Sequence, residues 1–273
     1  MSLSGGSQHH LSGKSKLLLS SGSLASPSIF SKAFIYKHFP HLCLSALEKY
    51  FRVEVEGIEN IPRQGSGILL PNHSGYLGVD ALILQHWIYK NKKRIPRILL
   101  HKFWYKGNVL NLHANRFGFV KASYRAGLRT LLRKRLMIIF PEGERGNFKP
   151  INEKYSLQTF RTGFARMALE TDAPIIPIII IGAEESHINI GQLSIMGQLL
   201  PLPLNTFPLP AKWKIRILKP IPLKELCGEE TNGQVNCDEI AKNLRLLMQE
   251  TLKLELADRK YIYFPSDPTG RKA

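Results

Sequence analysis

From residue 51 onward, short runs of apolar residues alternate with segments whose apolar positions recur at helical spacing. An apolar run bounded by turn residues is typical of a buried strand, and a period of about 3.6 residues is typical of an amphipathic helix. The alternation of the two predicts an α/β fold, in which a mixed sheet is flanked by helices. The predicted strands cover residues 51–55, 68–70, 95–100, 117–121, 136–140, 175–181 and 213–218. The predicted helices cover residues 81–89, 124–134 with Ser123 as N-cap, 157–170 and 238–256.

The same pattern divides the chain into four parts. Residues 1–27 are rich in Ser, Gly and Leu, which predicts a flexible leader, with a targeting peptide as the alternative. Residues 28–50 form an amphipathic helical segment that is interrupted near Pro40. Residues 51–257 form the folded domain, and residues 258–273 form a C-terminal tail.

Composition excludes several classes of protein. A chain of 273 residues with 44% hydrophobic content can bury a real core, so it is not wholly disordered. Its three cysteines are too few and too scattered for a disulfide framework or a thiolate metal site, and they favour a reducing compartment. The formal net charge of +17 points to an anionic partner.

The positive charge is concentrated in one part of the chain. Between Asp80 and Glu142 there are 14 Lys and Arg residues and no acidic residue. Arg125, Arg129 and Arg133 recur four positions apart on a predicted helix, which indicates either an anionic counterpart or a solvated face. The segment has no aromatic stacking pattern and no reader motif, which argues against nucleic acid. We therefore expect an anionic membrane surface as the partner.

Two further features bear on the membrane. No apolar run approaches the roughly 18 residues that a spanning helix needs, so we expect a cytoplasmic protein that is peripheral on a membrane. Residues 199–210 are apolar but rich in proline, which predicts an irregular loop that could line an apolar groove or touch lipid.

A histidine and a carboxylate follow one apolar strand within a single glycine-containing loop. Asn72 and His73 come directly after the strand at 68–70, and Asp80 lies seven positions beyond His73. A histidine can remove a proton from an attacking hydroxyl at neutral pH, and a carboxylate on its other ring nitrogen fixes the tautomer. The alternative is that His73 is a polar turn residue and Asp80 caps the next helix.

A second segment, residues 136–145, has to be considered together with the segment from Asn72 to Asp80. The strand at 136–140 ends in Phe140 and continues as Pro141-Glu142-Gly143-Glu144-Arg145. The two segments together resemble the lysophospholipid and glycerolipid acyltransferase family, which has an Asn-His…Asp motif followed by a Phe-Pro-Glu-Gly motif. Two weaker marks agree with the resemblance, which covers roughly residues 57–185. These are Gly118-Phe119-Val120-Lys121 and the run from Ala173 to Ile178.

The resemblance implies an O-acyltransferase that moves a fatty acyl group from acyl-CoA or acyl-carrier protein to an alcohol. His73 would be the general base and Asp80 its partner, with no cofactor, no metal and no covalent acyl-enzyme. The substrate-binding residues that it implies are Asn72, Lys121, Glu142, Gly143 and Arg145, of which Lys121 and Arg145 would pair with a phosphate.

The implied acceptor is a lysophospholipid, 1-acylglycerol-3-phosphate, in phospholipid biosynthesis. Two departures from the family pattern keep a neutral glycerolipid or another lipophilic alcohol as an alternative. Six residues separate His73 from Asp80, a longer spacing than the family usually has and one found in neutral-lipid relatives. Glu144 replaces a threonine and adds a negative charge beside the acceptor site. A non-catalytic module that binds a membrane or nucleic acid is the remaining alternative.

Overall fold

The structure is a computed structural model, and it describes residues 39–73, 78–100, 117–195, 198–226 and 236–264. The helices are α1 (Phe39–Tyr50), α2 (Val79–Lys92), α3 (Tyr124–Leu132), α4 (Glu144–Asn147), α5 (Gly163–Thr171), α6 (Ala183–Ser186), α7 (Leu223–Leu226) and α8 (Cys237–Ala257). The strands are β1 (Glu54–Glu56), β2 (Gly67–Pro71), β3 (Arg97–Leu100), β4 (Phe119–Lys121), β5 (Leu136–Ile138), β6 (Ile175–Ile181), β7 (Asn189–Ile195), β8 (Gln198–Pro203) and β9 (Lys214–Ile217).

Seven of these strands form one mixed sheet, which confirms the predicted fold class. Their order is β1-β9-β6-β2-β5-β3-β4, and the only antiparallel neighbours in this sheet are β6 and β9. The strands from β2 to β6 therefore all end at the same edge of the sheet. We call it the carboxyl edge, where α/β folds usually place their sites.

A hydrophobic layer covers each face of the sheet. Alternate residues of a strand face opposite sides, so Ile176, Ile178 and Ile180 join one layer with α2, while Ile175 and Ile179 join the other with α8. Strand β6 is buried on both faces, which explains why its sequence is a continuous apolar run.

The helices agree with their sequence signals except at one place. Ser123 caps α3 by accepting a hydrogen bond from the backbone N–H of Ala126, as expected. The helix predicted over residues 157–170 is wrong in its first part, because α5 begins only at Gly163. The backbone N–H groups of Leu157 and Gln158 donate to the side chains of Gln249 and Glu142 instead of to helical carbonyls.

The loop predicted over residues 199–210 is also wrong in part. Residues 198–203 form β8, which pairs antiparallel with β7 in a separate two-stranded sheet. Pro201 and Pro203 lack a backbone N–H, but an edge strand tolerates this loss because one of its sides has no partner strand. We call residues 189–210 the apolar hairpin, since they comprise β7, β8 and the segment that follows.

The N-terminal predictions are only partly described. Helix α1 covers Phe39–Tyr50 of the described residues and includes Pro40. The leader at 1–27 and the first part of the segment at 28–50 lie outside the described residues, as does most of the tail at 258–273. The bounds of the folded domain at 51–257 stay a prediction. Among the described residues, no helix is both long and apolar enough to cross a membrane.

Candidate active site

The carboxyl edge collects the polar residues that follow its strands. His73 comes just after β2, Glu142 after β5, and Lys121 is the last residue of β4. Because β2 and β5 are parallel neighbours, His73 and Glu142 meet at this edge, whereas β5 and β3 lie between β2 and the strand that ends in Lys121.

His73 and Asp80 form a direct pair. His73 Nδ1 lies 2.9 Å from Asp80 Oδ2, and the Asp80 side chain is fully buried while that of His73 is 14% exposed. The other carboxylate oxygen of Asp80 accepts a hydrogen bond from the backbone N–H of Ala81. The carboxylate favours the tautomer with the proton on Nδ1, so Nε2 can accept a proton.

The longer spacing between the two residues therefore still brings them into contact. Asp80 is the second residue of α2, and Gly78, with a φ of 73°, is the residue that precedes this helix. The alternative in which Asp80 only caps the helix is thus not what the structure shows. The ring of Phe140 stacks on the imidazole of His73, with ring centroids 4.0 Å apart.

Glu142 holds the backbone of His73 rather than facing outward. One carboxylate oxygen accepts the backbone N–H of His73 at 2.9 Å, and the other accepts the N–H of Gln158 at 2.7 Å. Glu142 is buried, and Lys149 Nζ lies 3.6 Å from its second oxygen. These contacts give Glu142 a positioning role, although the resemblance implied contact with substrate.

Lys149 sits in a buried cluster of charge. Its ammonium lies 2.9 Å from Glu184 Oε1 and donates to the carbonyl of Ser156, and its side chain is only 1% exposed. Burial disfavours the charged ammonium, but the attraction of Glu184 and Glu142 outweighs it and raises the pKa of Lys149. Burial also raises the pKa of Glu184, an effect that Lys149 partly offsets.

Asn72 has a structural role in this arrangement. Its amide donates to the backbone carbonyl of Ile180 at 3.0 Å and accepts from the N–H of the same residue at 2.7 Å. It is fully buried and thereby ties the end of β2 to β6. Both polar atoms of its side chain thus already bond to the protein, and the implied role of Asn72 in binding substrate stays a prediction.

The cationic candidates are exposed. Arg145 lies in α4 and Lys121 at the end of β4, and both side chains face solvent. A third cation, Arg161, was missed by the sequence analysis, because it lies inside a segment predicted as helix. A Cβ atom on Gly143 would lie 3.2 Å from Cζ of Arg161, so the guanidinium packs directly against that glycine. Gly143 has a φ of 62°, which other residues rarely adopt.

Two more features near the pair were not expected. His187, just after α6, is buried, and burial lowers its pKa while the nearby charge of Asp80 opposes this change. A cleft lies between the apolar hairpin and the segment that follows α4. It is lined by Lys149, Glu184, His187, Asn189, Pro201 and Pro203, among others. No group of three or more His, Cys, Asp or Glu side chains in the described ranges is placed to hold a metal ion.

This geometry, a buried carboxylate on a histidine at the carboxyl edge of an α/β sheet, is typical of enzymes that take a proton from a nucleophile. Residues 52–181 match the family model described as Acyltransferase. This range thus forms an acyltransferase-family domain, and the resemblance identified from the motifs is confirmed.

A solved structure shares the fold. The 1-acyl-sn-glycerophosphate (LPA) acyltransferase PlsC from Thermotoga maritima superimposes with a TM-score of 0.56 at 19% identity, over 81% of this chain and 83% of that one. At this level of identity the match supports the fold alone.

Several proteins are similar to this chain in sequence. An uncharacterized protein of Mycobacterium tuberculosis strain H37Rv is 32% identical over 80% of this chain, and one of Mycobacterium leprae is 31% identical over the same share. The chain spans about 65% of the length of these relatives. A protein of Bos taurus described as a DGAT1/2-independent enzyme synthesizing storage lipids is 27% identical over 50% of this chain and 41% of its own length.

Proposed function

We propose that the protein transfers a fatty acyl group from an acyl thioester to a hydroxyl of a glycerolipid, with His73 as general base. The observation that carries the proposal is the 2.9 Å contact between His73 Nδ1 and the buried carboxylate of Asp80. A histidine held in this way removes the hydroxyl proton through Nε2, while the carboxylate stabilises the imidazolium that forms.

The acyl group passes directly from the thioester to the acceptor, so no covalent acyl-enzyme forms. The acceptor oxygen attacks the thioester carbonyl as its proton moves to Nε2 of His73. A C–O bond forms, the C–S bond breaks, and the departing thiolate takes the proton back from the imidazolium. Both acyl-CoA and acyl-carrier protein carry such a thioester, so either serves as the donor. Glu142 and Phe140 hold the imidazole in place from its backbone and its ring face, which reduces the orientational cost of the step.

For the acceptor we propose 1-acylglycerol-3-phosphate, which would place the enzyme in phospholipid biosynthesis. Arg145 and Arg161 lie close to Gly143, and neither makes an ion pair with a carboxylate of the described residues. A guanidinium binds phosphate through two parallel hydrogen bonds, and Lys121 at the same edge adds a point charge.

A neutral glycerolipid is the second candidate acceptor. Glu144 places a carboxylate directly between Gly143 and Arg145 in the sequence, which disfavours a phosphate at this turn. The description of the bovine relative, which names storage lipids, supports the same candidate.

We also propose that the protein works on an anionic membrane surface facing the cytoplasm. Arg125 and Arg129 are exposed on α3 and Arg133 is exposed at its C-cap, so the three form one cationic stripe. Each basic residue that reaches an anionic surface contributes about 1 kcal/mol of attraction. Binding of nucleic acid to this stripe would instead appear as retention of RNA or DNA without acyl transfer.

The central test is His73→Ala, assayed by thiol release from acyl-CoA with a panel of phosphorylated and neutral acceptors. We expect turnover to fall by about 10² or more, because the general base is removed. Circular dichroism and thermal melting check that the variant is folded. Near-normal turnover in a folded variant would refute the role of His73, and a preference of the unchanged enzyme for neutral acceptors would favour the second candidate.

A further inference from the structure

The apolar hairpin lacks charge over an unusual length of chain. Residues 186–211 contain no Asp, Glu, Lys or Arg, a stretch of 26 residues in a chain of which 22% is charged. The hairpin nevertheless lies at the surface. Its exposed apolar side chains range from 38% to 84% exposure, and they are Ile190, Leu193, Leu202, Leu204 and Phe207. An exposed apolar patch of this kind marks an interaction surface.

Both faces of the hairpin are exposed. Gln192, Leu193 and Ser194 are consecutive and all exposed, and so are Leu202 and Pro203. Because successive residues of a strand point to opposite sides, both faces reach solvent along these stretches, although the Gln192 amide also contacts Phe148 of the domain. One flat protein surface covers only one face, whereas the interfacial layer of a bilayer surrounds both.

The edge formed by β8 argues against strand pairing with a second copy of the chain. Strand addition needs free backbone N–H groups along an edge strand. Pro201 and Pro203 supply none on β8, so this edge is a poor template for another strand. Unpaired backbone groups are costly in hydrocarbon, which limits the hairpin to the interface, where water and headgroups still reach it.

The hairpin is also fixed relative to the candidate active site. The side-chain amide of Asn189 donates to the backbone carbonyls of Phe148 and Lys149, and that of Gln192 donates to the carbonyl of Phe148. It therefore extends from the carboxyl edge, beside the segment that holds Glu142.

The charges at this edge complement an anionic surface. Lys121, Arg145 and Arg161 are exposed there, and no ion pair with a carboxylate of the described residues neutralises them. An apolar element beside exposed cations is the combination that binds an anionic interface.

We propose that the apolar hairpin inserts into the interfacial layer of an anionic lipid bilayer and turns the carboxyl edge toward it. The proposal rests on the proposed function, since it identifies the surface from which the lipid acceptor of the same site would come. The acceptor hydroxyl would then approach His73 without leaving the interface.

The test compares vesicles of phosphatidylcholine and phosphatidylglycerol with vesicles of phosphatidylcholine alone. The variant Leu193→Ser, Leu204→Ser, Phe207→Ser should bind the mixed vesicles at least about tenfold more weakly, because three apolar side chains leave the interface. The binding that remains should be more sensitive to salt, since it is then mainly electrostatic. Leu254→Ser is the matched control, because Leu254 is 72% exposed on α8 and outside the hairpin, and it should bind like the unchanged protein.

A second variant reports insertion directly. The indole introduced by Phe207→Trp should be quenched by brominated lipid in the vesicles. Unchanged vesicle binding by the triple variant, or an indole that is not quenched, would overturn the proposal. If the triple variant instead converts a dimer into a monomer in light scattering, with vesicle binding unchanged, the hairpin covers a second copy of the chain.

Activity separates this proposal from the proposed function. The triple variant should acylate a water-soluble short-chain acceptor at the normal rate and acylate an acceptor in vesicles more slowly. If the unchanged protein acylates no acceptor at all, the proposed function fails, whereas vesicle binding and quenching still decide the role of the hairpin.

Discussion

Replacing Lys149 by methionine tests whether the buried charge cluster keeps Glu142 in place. Lys149 is the cation between Glu142 and Glu184, and its side chain is almost completely buried. Methionine preserves most of the volume but leaves two buried carboxylates without their cation. Removal of one partner from a buried ion pair costs about 3–5 kcal/mol. For a domain of this size that loss lowers the melting temperature by on the order of 10 °C.

The pH dependence of this loss has a definite sign. Burial already raises the pKa of Glu184, and the loss of Lys149 should raise it further. The folded variant then binds more protons than the unfolded chain at any pH between the unfolded and the folded pKa of Glu184. The variant should therefore become more stable as the pH falls through this window toward the unfolded value.

Two further variants show whether charge is the cause. Glu184→Gln added to Lys149→Met removes the second carboxylate and should restore at least about half of the lost stability, because the pair is coupled. Lys154→Met is the matched control, since Lys154 is partly exposed and pairs with Glu185 at 3.6 Å, and it should cost less than about 1 kcal/mol.

The assays are thermal melting across a pH series and the kinetics of acyl transfer. We expect kcat of Lys149→Met to fall more than KM rises, because Glu142 holds the backbone of His73 and touches no substrate in the proposed mechanism. A loss of less than about 1 kcal/mol that does not depend on pH would refute the reasoning, since it would mean that the cluster does not need its cation.

Two more predictions concern the reaction itself. Asp80→Asn should lower kcat by about 10² or more with little change in KM, because the amide no longer stabilises the imidazolium, and a neutral result in the same thiol-release assay would show that His73 works without its partner. Arg145→Ala and Arg161→Gln should each raise KM for a phosphorylated acceptor while neutral acceptors are less affected. Arg166→Gln on α5, whose guanidinium lies over the ring of Tyr124, is the control, and equal losses on both classes of acceptor would make Arg145 and Arg161 structural.

Much of the fold could be predicted from the sequence, because its strands have unambiguous patterns. The run at residues 175–181 is apolar at every position, as a strand buried on both faces requires, and the structure gives it the same bounds. The apolar hairpin could not be predicted in the same way. Its prolines normally exclude a strand, and they are tolerated because β8 has no second neighbouring strand in the part of the chain that the structure describes.

In the candidate site, residues that lie close together in the sequence could be predicted, whereas contacts between residues far apart in the sequence could not. His73 and Asp80 could be identified because they lie in one loop, and a histidine beside a carboxylate suggests proton transfer on its own. The contact between Glu142 and the backbone of His73 joins residues 69 positions apart, so no local pattern reveals it. Lys149 was missed for a similar reason, since a lysine predicts a solvated charge until the fold surrounds it with two carboxylates.

The way in which the motif residues are used limits where acceptor specificity can come from. The side-chain amide of Asn72 is hydrogen-bonded to the backbone of β6. Both carboxylate oxygens of Glu142 accept backbone N–H groups, and one of them also contacts Lys149. Asp80 is likewise committed, to His73 and to the start of α2. A side chain whose polar atoms are already bonded discriminates poorly between ligands. Of the motif residues in the described ranges, His73 is thus the one that we propose for the reacting atoms, and we expect the exposed cations around Gly143 to decide between a phosphorylated and a neutral acceptor.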